Sequence, residues 1–207
     1  MKLLVTIFGA IVLWIGYSHF LKPNPFEYNK ESFLDSNTKI LAFGDSLTRG
    51  TGANRGYPER LSGLLGVSVI NEGIPAEVSK DGLKRLPRTF QKHKPDIVIL
   101  CHGGNDILRR YNLNQTEQNL RLMIEYIQQN GAKVLLVGVP MFEGLSIDTA
   151  SFYGSLAKEF NLPYAPKILT QIINNPDLKS DRVHPNDKGY EHLALRLRAL
   201  VLEYFGH

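Results

Sequence analysis

Two stretches decide the fold: Asp96-Ile97-Val98-Ile99-Leu100-Cys101 and Lys133-Val134-Leu135-Leu136-Val137-Gly138-Val139. Each is a continuous apolar run without polar alternation, the pattern of a strand buried on both faces. Between them, residues 116–130 place Leu120, Met123, Ile124 and Ile127 at helical spacing, and Gly131 stands where a C-terminal cap belongs. Upstream, residues 38–43 and 67–70 read as short strands and residues 57–65 as a helix. Residues 78–93 are mostly helical, with Pro87 expected to interrupt or kink them. Downstream, residues 148–160 and 187–205 read as helices and 163–165 as a short last strand. Strand and helix alternate, and the strands are buried. The expected fold is a three-layer α/β/α domain, a parallel sheet of about five strands with helices on both faces.

Composition sets the limits around this pattern. The chain has 207 residues, 43% hydrophobic and 21% charged, which excludes wholesale disorder, collagen and coiled coil. One such domain closes its own core. The single cysteine, Cys101, excludes an internal disulfide framework and a cysteine-rich zinc site. A net charge of +4 with scattered basic residues gives no footprint for nucleic acid.

The N-terminus stands apart. After Lys2, residues 3–21 form an apolar run of nineteen residues without a formal charge. That is the layout of an export signal, and nearly the length of about 20 residues needed to cross a bilayer. Gly16 and Ser18 offer small residues for cleavage but no A-x-A pattern is present, so signal peptide and retained membrane anchor both stand. Either places the remainder outside the cytoplasm, on the periplasmic side or the outer face of the membrane. Residues 22–36, with Pro23, Asn24, Pro25 and Asn29, read as a linker, and residues 37–207 as the folded domain.

Four polar clusters border the core elements: Gly44-Asp45-Ser46-Leu47-Thr48 after the first strand, residues 71–79 after the second, Gly103-Gly104-Asn105-Asp106 after the third, and Asp181-Arg182-Val183-His184-Pro185-Asn186 before the last helix. Ligands of open α/β sheets bind beyond the carboxyl ends of the strands. The clusters supply a hydroxyl, an imidazole, a carboxylate and hydrogen-bond donors, the set that acyl transfer through serine needs.

In that order, GDSLT, NEGIPAEVS, GGND and DRVHPN resemble the four blocks of the GDSL (SGNH) hydrolases, from Ile40 to the C-terminus. Among them the chain is similar to exported bacterial thioesterase/lysophospholipase and arylesterase types. The resemblance implies a flavodoxin-like fold and a serine esterase without metal or cofactor. Ser46 would be the nucleophile, His184 the general base and Asp181 its orienter. The Ser46 N–H and the Asn105 amide would hold the oxyanion. The third donor of the family is the N–H of a second-block glycine. Aligning Asn71 with that block puts Ala76 there, a departure from the pattern, and leaves Gly73 as a close-packing position or as the donor itself. The implied substrates are acyl, aryl, thio- or lysophospholipid esters. The alternatives are a polysaccharide or cell-wall O-acetyl esterase, and a non-catalytic tethered binding module.

The remaining candidates read as structural. Asp45 and Asp106 hold their loops, and Cys101 is a buried thiol unless His102, beside the GGND loop, activates it. Gly50, Gly52 and Gly56 lack the spacing and the lysine of a phosphate loop. Lys80, Lys84, Arg85, Arg88, Lys92 and Lys94 read as a solvated helix face, with anionic lipid headgroups as the alternative neighbour. Phe142, Leu145 and Ile147 suggest a hydrophobic wall for an acyl chain.

Overall fold

The computed structural model describes residues 33–144 and 146–207. The apolar run 3–21 and residues 22–32 of the expected linker lie outside them, as does Leu145. Among the described residues no helix is long and apolar enough to cross a membrane. The last linker residues belong to the folded body. Phe33 exchanges two backbone hydrogen bonds with His207, 3.4 and 3.0 Å, and Leu34 is buried.

The central sheet is parallel, with strand order β2-β1-β3-β4-β7. Its strands are β1 (Lys39–Gly44), β2 (Ser68–Gly73), β3 (Ile97–Cys101), β4 (Lys133–Val137) and β7 (Tyr164–Ala165). Every residue of β3 is buried, and Ile40 to Phe43 of β1 are wholly inaccessible, as continuous apolar runs require. Helices α1 (Ser46–Arg49), α2 (Tyr57–Leu65), α3 (Ser79–His93), α4 (Gly104–Leu108) and α5 (Leu113–Gln129) follow in chain order. Then come α6 (Ser151–Glu159), α7 (Ile168–Asn174) and α8 (Asp187–Phe205). Helix α2 packs against α8, while α3 packs against α5 and α5 against α6. The layers are those expected from the sequence.

Local expectations differ in several places: the second strand, read over 67–70, runs on to Gly73, and the helix read over 148–160 begins only at Ser151, residues 148 and 149 belonging to a strand. Helix α3 runs unbroken through Pro87, with Leu86 and Phe90 buried on either side of it. Helix α5 starts three residues early because the Asn112 side chain caps it, accepting from the Asn114 and Gln115 N–H groups. The stretch read as a loop after β4 folds into an antiparallel hairpin, β5 (Pro140–Glu143) and β6 (Ser146–Thr149). Helix α7, whose Leu169, Ile172 and Ile173 are buried, has no counterpart in the sequence reading.

Strand register is what assembles the site. Gly44 at the end of β1 lies level with Gly73 of β2 and with Cys101 of β3. The strand order reverses between β1 and β3, so the connections that leave these two strands diverge and open a crevice at their carboxyl ends.

Candidate active site

Ser46 opens α1 directly after β1. Asp45 caps that short helix, its Oδ1 accepting the Leu47 N–H at 3.0 Å, and leaves the half-buried Ser46 at the crevice. Ser46 Oγ lies 3.0 Å from His184 Nε2, and His184 Nδ1 lies 2.8 Å from Asp181 Oδ2. The loop carrying this pair is tightly specified. Asp181 Oδ1 accepts the N–H groups of Val183 and His184 at 2.8 and 2.9 Å. Ser180 donates its N–H to the His184 carbonyl, and Asn186 caps α8 through the Gly189 N–H. Gly52, at φ +94°, lets the neighbouring loop approach, since a Cβ there would lie 3.1 Å from the His184 Cβ and 2.2 Å from Ser180 Oγ.

Burial alone would raise the Asp181 carboxyl, but the Val183 N–H, the His184 ring and the His184 N–H hold it below its ordinary value. It is therefore an acceptor at neutral pH. A carboxylate facing Nδ1 puts the ring proton on Nδ1, and leaves Nε2 to accept from the Ser46 hydroxyl.

Asn105 sits in the first turn of α4 and lines the same cleft as Ser46 and His184. Its Nδ2 donates to the Glu77 carbonyl at 2.9 Å and, over a longer 3.4 Å, to Asp45 Oδ2. Ala76 is exposed and does not line that cleft. Its φ of +64° is left-handed, the backbone that a glycine favours, and its carbonyl accepts from Arg109 Nη2 at 3.0 Å. Gly73 is packed against the backbone of α1: a Cβ would stand 2.2 Å from the Arg49 nitrogen. The Gly73 N–H donates to Asn71 Oδ1 at 3.0 Å.

The sequence reading missed a buried ionic network behind the second block. His102 is wholly buried, its Nε2 3.1 Å from Glu77 Oε2, while its Nδ1 accepts the Gly103 N–H. Arg85 donates to both Glu77 oxygens, at 2.9 and 2.7 Å, and lies 4.1 Å over the Phe43 ring. Burial pulls the Glu77 carboxyl up, but His102 and Arg85 outweigh it, and the group titrates below its ordinary range. Arg85 is thus no solvated residue. The signal was its position in α3, three residues from Gly82 and four from Thr89, both buried. Asp106 is likewise internal, accepting from the Ser79 N–H and hydroxyl at 2.8 and 2.7 Å. Burial pushes the Cys101 thiol and the Asp45 carboxyl up. The sequence reading allowed that His102 activates Cys101. The His102 ring instead meets Glu77, the Gly103 N–H and the Phe43 ring.

The cleft at Ser46 is small, about 30 Å³, and is walled by Val139, Pro140, Phe142 and Ile173 among others. Ile147 is half-buried and not part of that wall. A separate groove of about 380 Å³ shares Leu108 and Phe142 with this cleft as lining residues.

Known proteins share this sequence pattern and fold. Residues 42–192 match the GDSL-like Lipase/Acylhydrolase family. The chain is 34% identical over 164 residues to Thioesterase 1/protease 1/lysophospholipase L1 of Escherichia coli K12, covering 75% of this chain and 79% of that protein. It is 30% identical over 168 residues to an arylesterase of Vibrio mimicus, covering 75% and 84%. Among solved structures, TesA superposes with a TM-score of 0.72 at 26% identity, covering 79% of this chain and 98% of the other. The chain belongs to the GDSL-like lipase/acylhydrolase family, and it is a carboxylic ester hydrolase.

Proposed function

We propose that Ser46, His184 and Asp181 hydrolyse the ester as a catalytic triad. The observation that carries this reading is the unbroken line from Asp181 Oδ2 through the His184 ring to Ser46 Oγ, with contacts of 2.8 and 3.0 Å. Ser46 Oγ attacks the ester carbonyl carbon while His184 Nε2 takes the hydroxyl proton. Asp181 keeps the ring oriented and stabilises its charged form. The new oxyanion receives the Ser46 N–H and one hydrogen of Asn105 Nδ2, and the third donor is the N–H of Ala76, outside the cleft lining but directly before Glu77, whose carbonyl holds the Asn105 amide. The Asn105 hydrogen is the one in the long contact to Asp45, while the 2.9 Å bond to the Glu77 carbonyl keeps the amide oriented. Collapse of the intermediate expels the alcohol or thiol, which takes the proton from His184. Water then attacks the acyl-serine by the same route, freeing the acid. The 30 Å³ cleft holds the reacting carboxyl group, and an apolar substrate chain, acyl or aryl, runs out past Leu108 and Phe142.

Ser46→Ala removes nearly all ester hydrolysis with an unchanged melting temperature. Asp181→Asn lowers turnover by about 10²–10³, less than the roughly 10⁴ of the serine proteases, because the Asp181 side chain is half exposed and water can accept the Nδ1 proton in its place. Stoichiometric labelling by an organophosphonate at a residue other than Ser46, or full turnover in Asp181→Asn, overturns the assignment.

The same proposal includes export, on the strength of the charge-free run 3–21 after Lys2. The full chain is expected outside the cytoplasm, with membranes if the run is retained and in the soluble fraction if it is cleaved. Protection of the enzyme from external protease in intact spheroplasts counts against either form of export.

A further inference from the structure

The groove that shares Leu108 and Phe142 with the cleft is lined by two arginines from distant segments, Arg110 just after α4 and Arg182 in the loop between Asp181 and His184. Its other lining residues include Ile107, Leu113, Met141 and Tyr111, and no carboxylate lines it. Among the described residues neither guanidinium forms an ion pair. This contrasts with the neighbouring Arg109, which donates to the Ala76 carbonyl, and with Arg85, which is held by Glu77. Arg110 also holds φ +55°, a left-handed conformation that costs a residue with a Cβ about 1–2 kcal/mol. The turn is closed there by the Arg110 N–H to the Ile107 carbonyl and the Tyr111 N–H to the Asp106 carbonyl. A glycine or asparagine would serve such a turn with less strain. Instead the chain presents a cation.

We infer that this groove is an anion subsite, and that the preferred substrate is an amphiphilic ester with a negatively charged group beyond a short apolar chain. The inference deepens the esterase reading above and rests on it. The reacting carboxyl lies in the small cleft, the apolar chain crosses Leu108 and Phe142, and its phosphate or carboxylate meets Arg110 and Arg182. Arginine suits this task because its planar fork donates to both oxygens of such a group. Because Arg182 lies two residues from His184, the anion subsite and the proton-transfer residue share one loop.

Two measurements test this. The first compares hydrolysis of 4-nitrophenyl hexanoate with that of mono-4-nitrophenyl adipate, which has the same leaving group and a terminal carboxylate. In the Arg110→Gln/Arg182→Gln double variant, kcat/KM for the adipate falls about tenfold, as two exposed charge contacts allow. The hexanoate value changes less than twofold, and 0.5 M salt closes most of the difference. The second is calorimetric binding of hexyl phosphate to the Ser46→Ala protein, with hexanol and inorganic phosphate as controls. Hexyl phosphate binds more tightly than either control, and about tenfold more weakly to the triple variant lacking both arginines. Equal loss for both esters, or hexyl phosphate binding that ignores the arginines, overturns the subsite. Absence of hydrolysis of either ester by the wild type, with hexyl phosphate still bound through the arginines, overturns the esterase reading and leaves the subsite standing.

Discussion

Ala76 carries a methyl group on a backbone that glycine would adopt without cost, at φ +64°. The left-handed penalty is about 1–2 kcal/mol, and the entropy that a glycine adds to the unfolded chain offsets about 0.4–1 kcal/mol of it. Ala76→Gly is therefore expected to stabilise the protein by about 0.5–1 kcal/mol, read as a rise in melting temperature. It keeps the N–H, so turnover changes less than about tenfold. Gly73 behaves in the opposite way: Gly73→Ala drives a Cβ into the Arg49 backbone of α1 and costs both stability and turnover. A destabilised Ala76→Gly together with a tolerated Gly73→Ala contradicts this account of the second block. The motif made both positions candidates from the sequence. Only the observed φ and the Arg49 contact separate their structural roles.

At the scale of elements, the segment from β2 into α3 is held by its carboxylates. Glu77 is gripped by His102 and Arg85, and Glu72 lies 2.6 Å from His93 Nε2 and 3.3 Å from Lys92 Nζ. Burial opposes ionisation of both, yet these partners leave both carboxyls below their ordinary value. A depressed folded-state value contributes stability that is complete above the unfolded value of about 4.3 and is lost as pH falls through the folded one. Asp45 runs the other way. Burial raises it, so its ionised form costs stability at neutral pH, and protonation relieves that cost on acidification. For Glu77→Gln we expect a loss of about 1–3 kcal/mol at pH 7. Its melting temperature should also decline less steeply than the wild type between about pH 4.5 and 3. Parallel acid limbs in the two proteins would show that Glu77 contributes nothing to the linkage. Periodicity shows that Arg85 shares a face with Gly82 and Thr89, but not that a glutamate and a histidine from other segments wait there. Likewise the β5–β6 hairpin leaves little local signal, because Pro140 to Thr149 lacks a strong turn dipeptide and alternates poorly.

For the molecule as a whole, strand order and register decide where chemistry happens. Gly44, Gly73 and Cys101 end their strands side by side, which brings Ser46, the second block and Asn105 to one edge of the sheet. Helix α8 and its preceding loop then return the chain across that edge with Asp181 and His184. The hold is not local, since Asp187 accepts from the Asn54 N–H at 3.2 Å and pairs with Arg60 at 2.5 Å. The sequence by itself determined the α/β alternation, the buried strands, the four blocks and their order. Those depend on near neighbours, because apolar period and turn chemistry act within a few residues. Tertiary structure alone decided the capture of Arg85 and His102, the strain at Ala76 and the meeting of Arg110 with Arg182 along one groove. Each of these joins residues far apart in the chain or depends on how far a Cβ can be accommodated. Such contacts arise from packing and register, which no local pattern records.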